Sequence, residues 1–228
     1  MPRLAPWFAT AGVALLCSCG NAPVMSAPSQ DRVAAAKARV GTEVSASLAY
    51  QNLAMGDPVI LVAFKEERQL EVWCRRVEGD WILWKTFPIL AASGKPGPKE
   101  REGDGQVPEG EYGILRKGMN PRSNYHLGMN IGYPNKRDLA LGRTGSAIMI
   151  HGNQVSVGCL AMGDEVIERL YLLVDAALKA KEREVPVHIF PFRMTPESCA
   201  AHAGPGWHPS WDDLKAEYSR LQRMLSGG

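Results

Sequence analysis

Two residues able to carry out nucleophilic chemistry stand eight positions apart, His151 and Cys159, with an apolar run before the histidine and a glycine directly before the cysteine. The thiolate is the attacking form of cysteine, and a free thiol with a pKa of about 8.5 is mostly protonated at neutral pH. Cys159 therefore needs a base, and His151 can supply it. The spacing predicts a cysteine nucleophile activated by a histidine. A buried cysteine beside a structural histidine is the alternative interpretation.

The backbone beside the cysteine has features that an acyl-transfer site requires. Gly152 and Gly158 permit tight turns and the close approach of a substrate. The consecutive N–H groups of Gly158 and Cys159 are predicted to stabilise a developing oxyanion.

One motif joins these residues and resembles the active-site motif of the L,D-transpeptidase catalytic domain, the YkuD-like family of peptidoglycan cysteine acyltransferases: His151-Gly152, then Ser156-x-Gly158-Cys159. The resemblance implies attack by the cysteine on the L-centre carbonyl of diaminopimelate in a stem peptide. A D-amino acid or another amine leaves, and a thioester acyl-enzyme remains. In the family a backbone carbonyl beside the catalytic histidine orients its ring. Here that carbonyl maps to Gly152, and Ser156 shapes the turn.

The spacing of the motif is short, and Ala-Met-Gly-Asp follows it at 161–164, which is similar to the YafK-like branch of the family. The family usually has a second histidine two residues before the cysteine, where this chain has Val157. The departure leaves open whether the acyl group passes to an amine, as in transpeptidation, or to water. Hydrolysis would cleave stem peptides or release a wall-linked lipoprotein. A non-catalytic peptidoglycan-binding lipoprotein and a metal-dependent peptidase are rival interpretations.

Several residues are predicted to bind the substrate. The segments 120–126 and 132–135 resemble stretches of the YafK-like branch, so Tyr125 and His126 are assigned to the substrate cleft, together with Asn153. His126 is alternatively structural. Arg143 is predicted to bind a stem-peptide carboxylate, since a guanidinium offers bidentate geometry. An arginine exposed in a loop is the alternative.

The chain pattern predicts a mainly β domain with flanking helices, an α+β fold that is a sandwich or barrel-like. Apolar runs at 59–64, 70–73 and 81–90, separated by polar turns, predict an antiparallel meander. The segment 108–114 resembles a family strand beside the active site. A last strand at 185–190 contains Pro186, which indicates a sheet edge.

Helices are predicted at three places. A short one begins at Asp31 and continues over 32–40, either packed on the domain or part of a tether. Asp164 begins a second helix after the cysteine. Ser210 begins a third, whose apolar stripe is expected to pack back on the sheet.

The chain is divided into four predicted segments: an export signal at 1–19, a linker with the short helix at 20–57, the catalytic domain at 58–192 and a helical extension at 193–228. Cys19 lies in a lipobox-like context and is predicted to be lipidated, with simple secretion as the alternative. Gly20 follows it, so resemblance to bacterial lipoproteins favours anchoring to the periplasmic side of the outer membrane. The net charge of +2 argues against a dedicated nucleic-acid binder.

Three cysteines lie beyond the export signal: Cys74, Cys159 and Cys199. An odd number in an oxidising compartment predicts at least one free thiol, and catalysis assigns that thiol to Cys159. Cys74 and Cys199 either pair in a disulfide or remain as a buried thiol and an accessible one. Their spacing matches no zinc site, and no cofactor or metal is predicted.

Overall fold

The computed structural model describes residues 29–76, 79–180 and 182–227. The predicted export signal and the lipidation of Cys19 lie outside these residues. Within them, no helix has both the length and the apolar character needed to cross a membrane.

The described residues form nine strands and five α-helices in chain order. The strands are β1 (Val59–Phe64), β2 (Gln69–Arg75), β3 (Trp81–Pro88), β4 (Gly110–Leu115), β5 (Met119–Asn120), β6 (Gly128–Asn130), β7 (Met149–His151), β8 (Leu160–Ala161) and β9 (Glu184–Phe190). The helices are α1 (Ser29–Tyr50), α2 (Lys136–Ala140), α3 (Asp164–Ala180), α4 (Pro196–Ala201) and α5 (Trp211–Leu225). A single 3-10 turn, Arg116–Gly118, follows β4.

The strands form two sheets, one of five strands in the order β3-β2-β1-β9-β4 and one of four in the order β5-β6-β7-β8. The first three strands pair antiparallel in sequence, which confirms the predicted meander. The α+β prediction is also confirmed. The described strands remain two separate sheets, so the barrel-like form is not adopted.

Strand β1 explains how the five-stranded sheet is covered on both faces. All six of its residues are buried. Since side chains alternate along a strand, Val59, Leu61 and Ala63 face one apolar cluster, while alternate residues such as Phe64 face another. The first cluster lies between the two sheets, α1 and α3; the second lies under α5. The stripe of α5 packs on the sheet as predicted.

Helix α1 is longer than predicted, since it ends at Tyr50 and not near Val40. Its buried residues recur every four positions, at Ala36, Val40, Val44 and Leu48, and join the cluster between the sheets. This face packs against α3, and tertiary burial offsets the cost of about 1 kcal/mol for Gly41 within a helix. The helix belongs to the domain and is not a tether.

Two other expectations are corrected. Pro186 lies on an inner strand, because β9 has β1 on one side and β4 on the other. The pairing with β1 begins only at Val187, so Pro186 has a partner strand on one side alone and its missing N–H leaves no gap in the β1 ladder. Of the two alternatives for Cys74 and Cys199 the disulfide is not formed, and the expected accessibility of Cys199 is wrong: both thiols are unpaired and buried, in different clusters.

Candidate active site

Cys159 stands at the end of a turn that leads into β8, and its side chain is partly exposed. Its sulfur accepts the Met149 N–H at 3.4 Å and lies 3.8 Å from the Ala147 carbonyl oxygen. Burial raises the pKa of the Cys159 thiol, while the Met149 N–H and the charge of Lys99 oppose that rise. The sulfur is therefore accessible and, at rest, favours the protonated thiol.

His151 ends β7 and is buried, with 2% of its surface exposed. Its Nδ1 lies 2.6 Å from the Gly152 carbonyl oxygen. Because a carbonyl only accepts, this contact assigns the proton to Nδ1 and leaves Nε2 as the basic nitrogen of the neutral ring. Burial lowers the pKa of His151, and the Gly152 carbonyl opposes part of that effect. The ring is thus held neutral, which is the form a general base needs.

The register of two short strands brings the thiol and the imidazole to the same face of the four-stranded sheet. Strands β7 and β8 run parallel and pair His151 with Ala161. Continuing this register by two residues pairs Met149 with Cys159, in agreement with the Met149 N–H contact to the sulfur. Side chains two positions apart along a strand share a face. No hydrogen bond joins the sulfur and the imidazole among the described residues, so proton transfer between them requires a closer approach than this structure shows.

Gly152 is enclosed on the side where a side chain would lie. A Cβ atom there would come within 2.6 Å of Asp164 Oδ1 and 2.8 Å of the Tyr125 carbonyl oxygen. Its N–H donates to the Leu127 carbonyl at 3.0 Å. Asp164, at the start of α3, accepts the neighbouring Asn153 N–H at 2.7 Å. Hydrogen bonds from the Gly152 and Asn153 N–H groups therefore hold the backbone on both sides of the carbonyl that orients His151.

The two N–H groups predicted to hold an oxyanion already have acceptors. Cys159 N–H donates to Ser156 Oγ at 3.1 Å, and Ser156 Oγ donates in turn to the Cys159 carbonyl at 2.7 Å. Ser156 shapes the turn in this way. Gly158 N–H donates to Ser93 Oγ at 2.6 Å. A substrate oxygen would have to replace these hydroxyl groups, and the oxyanion role stays a prediction.

Ser93 was missed by the sequence analysis because it lies 65 residues before Gly158. It belongs to the loop between β3 and β4, which buried ion pairs hold in place. Lys65 pairs with Glu109 at 3.0 Å, and Lys99 pairs with Asp104 at 2.7 Å. Burial alone would raise the pKa of the Asp104 carboxyl, but the Lys99 ammonium and three backbone N–H groups lower it well below its usual range. These ion pairs thus hold the loop in place, with Ser93 beside the turn that precedes Cys159.

The predicted cleft residues have different environments. Tyr125 is 42% exposed and stacks on His151, with ring centroids 4.6 Å apart and planes inclined by 29°. Asn153 is exposed with a φ of 62°, and its Oδ1 accepts the Gln154 N–H within the same turn. Tyr125 is therefore well placed to contact a substrate, whereas Asn153 uses its side chain to hold the loop.

His126 has a structural environment, the alternative left open by its sequence. Its Nε2 lies 2.7 Å from Glu168 Oε1, and the same carboxylate accepts from Arg39 of α1. Arg32 of α1 donates to the carbonyls of Ser123 and His126 at 2.8 and 2.9 Å. These bonds tie α1 to the loop that carries Tyr125.

Arg143 does not fit the predicted role of a carboxylate clamp. It is 9% exposed, and its guanidinium pairs with Asp138 Oδ1 at 2.9 Å. Asp138 also accepts from the Tyr112 hydroxyl at 3.1 Å and caps α2 with Asn135. Arg143 is thus one half of a buried ion pair, in which its Nη1 donates to Asp138, and it is not the exposed loop arginine of the alternative either.

One group of side chains in the described residues could hold a metal ion, although the sequence spacing did not indicate it. Glu111, His188 and Glu217 each place a ligand atom within 4.8 Å of the others. Glu111 and His188 are cross-strand partners on β4 and β9, and Glu217 comes from α5. His188 Nδ1 already contacts Glu217 at 3.0 Å. His188 lies on the α5 face of the five-stranded sheet, whereas the next residue along β9, Ile189, faces the cluster between the sheets.

Comparisons with known proteins identify the family of the chain. The family model described as the L,D-transpeptidase catalytic domain, YkuD, matches residues 52–189. The candidate L,D-transpeptidase YafK of Escherichia coli strain K12 is 38% identical over 174 residues, which cover 76% of this chain and 70% of that protein.

Two solved structures have more distant similarity. A mutant form of the helical cell shape determining protein Pgp2 from Campylobacter jejuni is 26% identical, with a TM-score of 0.47, over 58% of this chain and 47% of that one. L,D-transpeptidase 1 of Mycobacterium tuberculosis is 17% identical, with a TM-score of 0.33, over 60% of this chain and 64% of that one. This chain thus spans about half the length of Pgp2. On the family model and the match to YafK, the chain belongs to the L,D-transpeptidase catalytic domain family.

Proposed function

We propose that this chain is a cysteine acyltransferase that acts on peptidoglycan stem peptides through a thioester on Cys159. Membership of the L,D-transpeptidase family supports a peptidoglycan-modifying role. The observation that carries the finer proposal is the 2.6 Å contact between His151 Nδ1 and the Gly152 carbonyl. It leaves Nε2 as a base on the sheet face that also carries the partly exposed sulfur of Cys159.

The first step in the proposal is proton transfer coupled to attack. Burial raises the pKa of the Cys159 thiol and lowers the pKa of His151, so both groups are neutral at rest. As the sulfur attacks the L-centre carbonyl of diaminopimelate, its proton moves to His151 Nε2. The same proton then passes to the leaving amine, the C–N bond breaks, and the thioester remains.

The carbonyl oxygen becomes negatively charged during this attack and needs hydrogen-bond donors. The N–H groups of Gly158 and Cys159 are proposed to serve, once the substrate oxygen replaces the hydroxyls of Ser93 and Ser156 that accept from them at rest. An amine acceptor then completes transpeptidation, whereas water completes hydrolysis. Product analysis by mass spectrometry separates these outcomes: crosslinked muropeptides identify the transferase, and monomers or freed lipoprotein identify the hydrolase.

The acyl-enzyme is tested directly by intact mass. Purified protein is exposed to a stem peptide or to a carbapenem, and the wild type is compared with Cys159→Ala. Cys199→Ala is the matched control, since Cys199 is a buried thiol in the other apolar cluster. A covalent adduct in the wild type and Cys199→Ala, with none in Cys159→Ala, is expected. An adduct on Cys159→Ala, or no adduct on any form while product still accumulates, would refute the thioester.

We also propose that the mature chain lies in the periplasm, anchored to the outer membrane by a lipid on Cys19. The support is the residue pattern of 1–20, in which an apolar run precedes Cys19-Gly20. Palmitate labelling should be lost in Cys19→Ala and retained in Cys17→Ala, the neighbouring control. Labelling that persists in Cys19→Ala would contradict the anchor.

A further inference from the structure

A cavity of about 580 Å³ lies beside the strand segment that contacts the sulfur of Cys159, although Cys159 does not itself line it. Two of its lining residues, Ala147 and Met149, are the ones whose backbone atoms contact the sulfur, at 3.8 and 3.4 Å. The other walls come from the end of β4, the 3-10 turn after it, and the strands β5 and β6. A substrate carbonyl that reaches the sulfur from this side would place its neighbouring groups in the cavity.

The walls of this cavity carry one kind of charge. Among the lining residues that the structure describes, Lys117 is charged, and the rest are neutral. Two of the neutral residues are asparagines whose Oδ1 atoms already accept backbone N–H groups: Asn120 from Arg122 at 3.0 Å, and Asn130 from Gly132 at 2.8 Å. Each asparagine also carries an NH2 donor group, which suits an anion.

Lys117 itself is exposed and forms no ion pair with any residue in the described part of the chain. Its neighbour Arg116 points its charge elsewhere, into an ion pair with Asp175 of α3 at 2.5 Å. The Glu184 carboxylate packs against Gly113, but it lines the adjoining cavity and is not paired with Lys117. The ammonium therefore remains available to a ligand.

We infer that Lys117 binds a carboxylate of the substrate, and that this cavity is the subsite that recognises it. Lys117 thus performs the carboxylate binding that was predicted for Arg143, whose guanidinium is paired with Asp138. The identity of the ligand as a stem peptide rests on the proposed function. Two carboxylates lie on the residues either side of the scissile bond and have the required chemistry: the one at the D-centre of diaminopimelate and the one at the C-terminus.

The test compares three tetrapeptide stems, one with both carboxylates free, one amidated at the D-centre and one amidated at the C-terminus. Acylation kinetics are measured for the wild type, Lys117→Met and Lys117→Arg. Lys37→Met is the matched control, since Lys37 is another exposed lysine without an ion pair in the described residues, on α1. Lys117→Met should raise KM for the free acid by about tenfold or more, with a smaller change in kcat. Lys117→Arg should restore part of the loss, and Lys37→Met should match the wild type.

The amidated peptides identify the carboxylate. The wild type should lose affinity for one of them, and on that peptide the wild type and Lys117→Met should perform alike. A Lys117→Met variant that matches the wild type on the free acid would overturn the inference. So would an equal ratio between wild type and variant on all three peptides.

Binding to Cys159→Ala, measured by calorimetry, separates this inference from the proposed reaction. If the wild type forms no thioester but the peptides bind in a manner that depends on Lys117, the subsite stands and the reaction falls. If the thioester forms equally well in the wild type and in Lys117→Met, the proposed reaction stands and the subsite falls. Failure of any stem peptide to bind would overturn both.

Discussion

His151 in the candidate active site and His202 in the C-terminal extension are held by the same two kinds of contact. Each ring donates from Nδ1 to a backbone carbonyl, Gly152 at 2.6 Å and Ser198 at 2.8 Å. Each also stacks on an aromatic ring, that of Tyr125 or of Phe192. Yet the pKa of His151 lies below its ordinary value of 6.5, and that of His202 lies above it.

The difference comes from burial and from the second ring nitrogen. His151 is buried, and loss of solvent disfavours its charged form. The His202 side chain is 28% exposed; the Ser198 carbonyl raises its pKa, and the Glu66 carboxylate, 2.9 Å from Nε2, adds to that effect. The carbonyl contact raises the pKa of both rings, and at His151 the effect of burial outweighs it. Burial without a carboxylate is what keeps His151 available as a base.

The largest expected effect comes from removing the two imidazoles in turn. His151→Gln should lower the rate of thioester formation by about 10²–10⁴-fold, since glutamine cannot accept the thiol proton. His202→Gln should leave that rate within about twofold of the wild-type rate. His202 stacks on Phe192, which belongs to the apolar cluster under α5. Mass-spectrometric acylation kinetics measure both. Equal losses of the acylation rate in the two variants would show that His151 has no specific role as the base.

The pH dependence of acylation should follow the lowered pKa of His151. As pH falls through that pKa the ring gains a proton and ceases to act as a base, so the acid limb of the rate profile should lie below pH 6.5. Because the pKa of the Cys159 thiol is raised, the rate should not fall as pH increases through neutrality. Stopped-flow or quenched acylation across pH measures the profile. An acid limb centred above 6.5 would indicate a stabilised imidazolium instead.

Disturbing the contact between His151 and the Gly152 carbonyl should have an intermediate effect on the rate of acylation. Gly152→Ala brings a Cβ against Asp164 Oδ1 and the Tyr125 carbonyl, so the segment that orients His151 must move. Overpacking of this kind costs about 1–3 kcal/mol in stability, and the rate should fall in parallel. Gly206→Ala is the control, since nothing lies within 4 Å of its Cβ position. Chemical denaturation and acylation rates report the two effects, and a fully active Gly152→Ala would show that the carbonyl need not be fixed.

The smallest effect concerns stability and His202. A pKa raised in the folded state gives stability that is fully present below the unfolded value of 6.5 and is lost as pH rises through the folded pKa. Glu66→Gln removes the carboxylate, so it should lower the melting temperature slightly at acidic pH and have no effect at alkaline pH. For His151 the sign is opposite, since its lowered pKa makes stability rise with pH up to 6.5. A Glu66→Gln effect that is the same at every pH would mean that the pair is not titrating.

The sequence predicted the parts of this molecule whose evidence is local. His151, Gly152, Ser156 and Cys159 fall within nine consecutive residues, so their types and spacing were visible without a structure. The continuous apolar run of β1 and the apolar stripe of α5 were visible for the same reason. The buried positions of α1 also recur every four residues, and that signal could have extended the predicted helix past Val40 to Leu48.

The remaining features depend on contacts between distant segments. Ser93 reaches Gly158 across 65 residues, and no pattern in either segment indicates the bond. Arg143 has a partner only five residues away, but its burial is set by the packing of Tyr112 and α2, which residue type does not reveal. The interior position of Pro186 depends on which strands flank β9. The sequence does not determine these neighbours by local propensity.

Titration of the two imidazoles by NMR in a single sample tests the account most directly. Labelled protein gives separate ring signals for His151 and His202, assigned with the His151→Gln and His202→Gln variants. The account predicts that His151 titrates below 6.5 and His202 above it, and that Cys159→Ala leaves the His151 value nearly unchanged. A His151 ring that stays protonated above neutral pH, and that becomes neutral when Cys159 is replaced, would instead show a resting thiolate–imidazolium pair and contradict the neutral base.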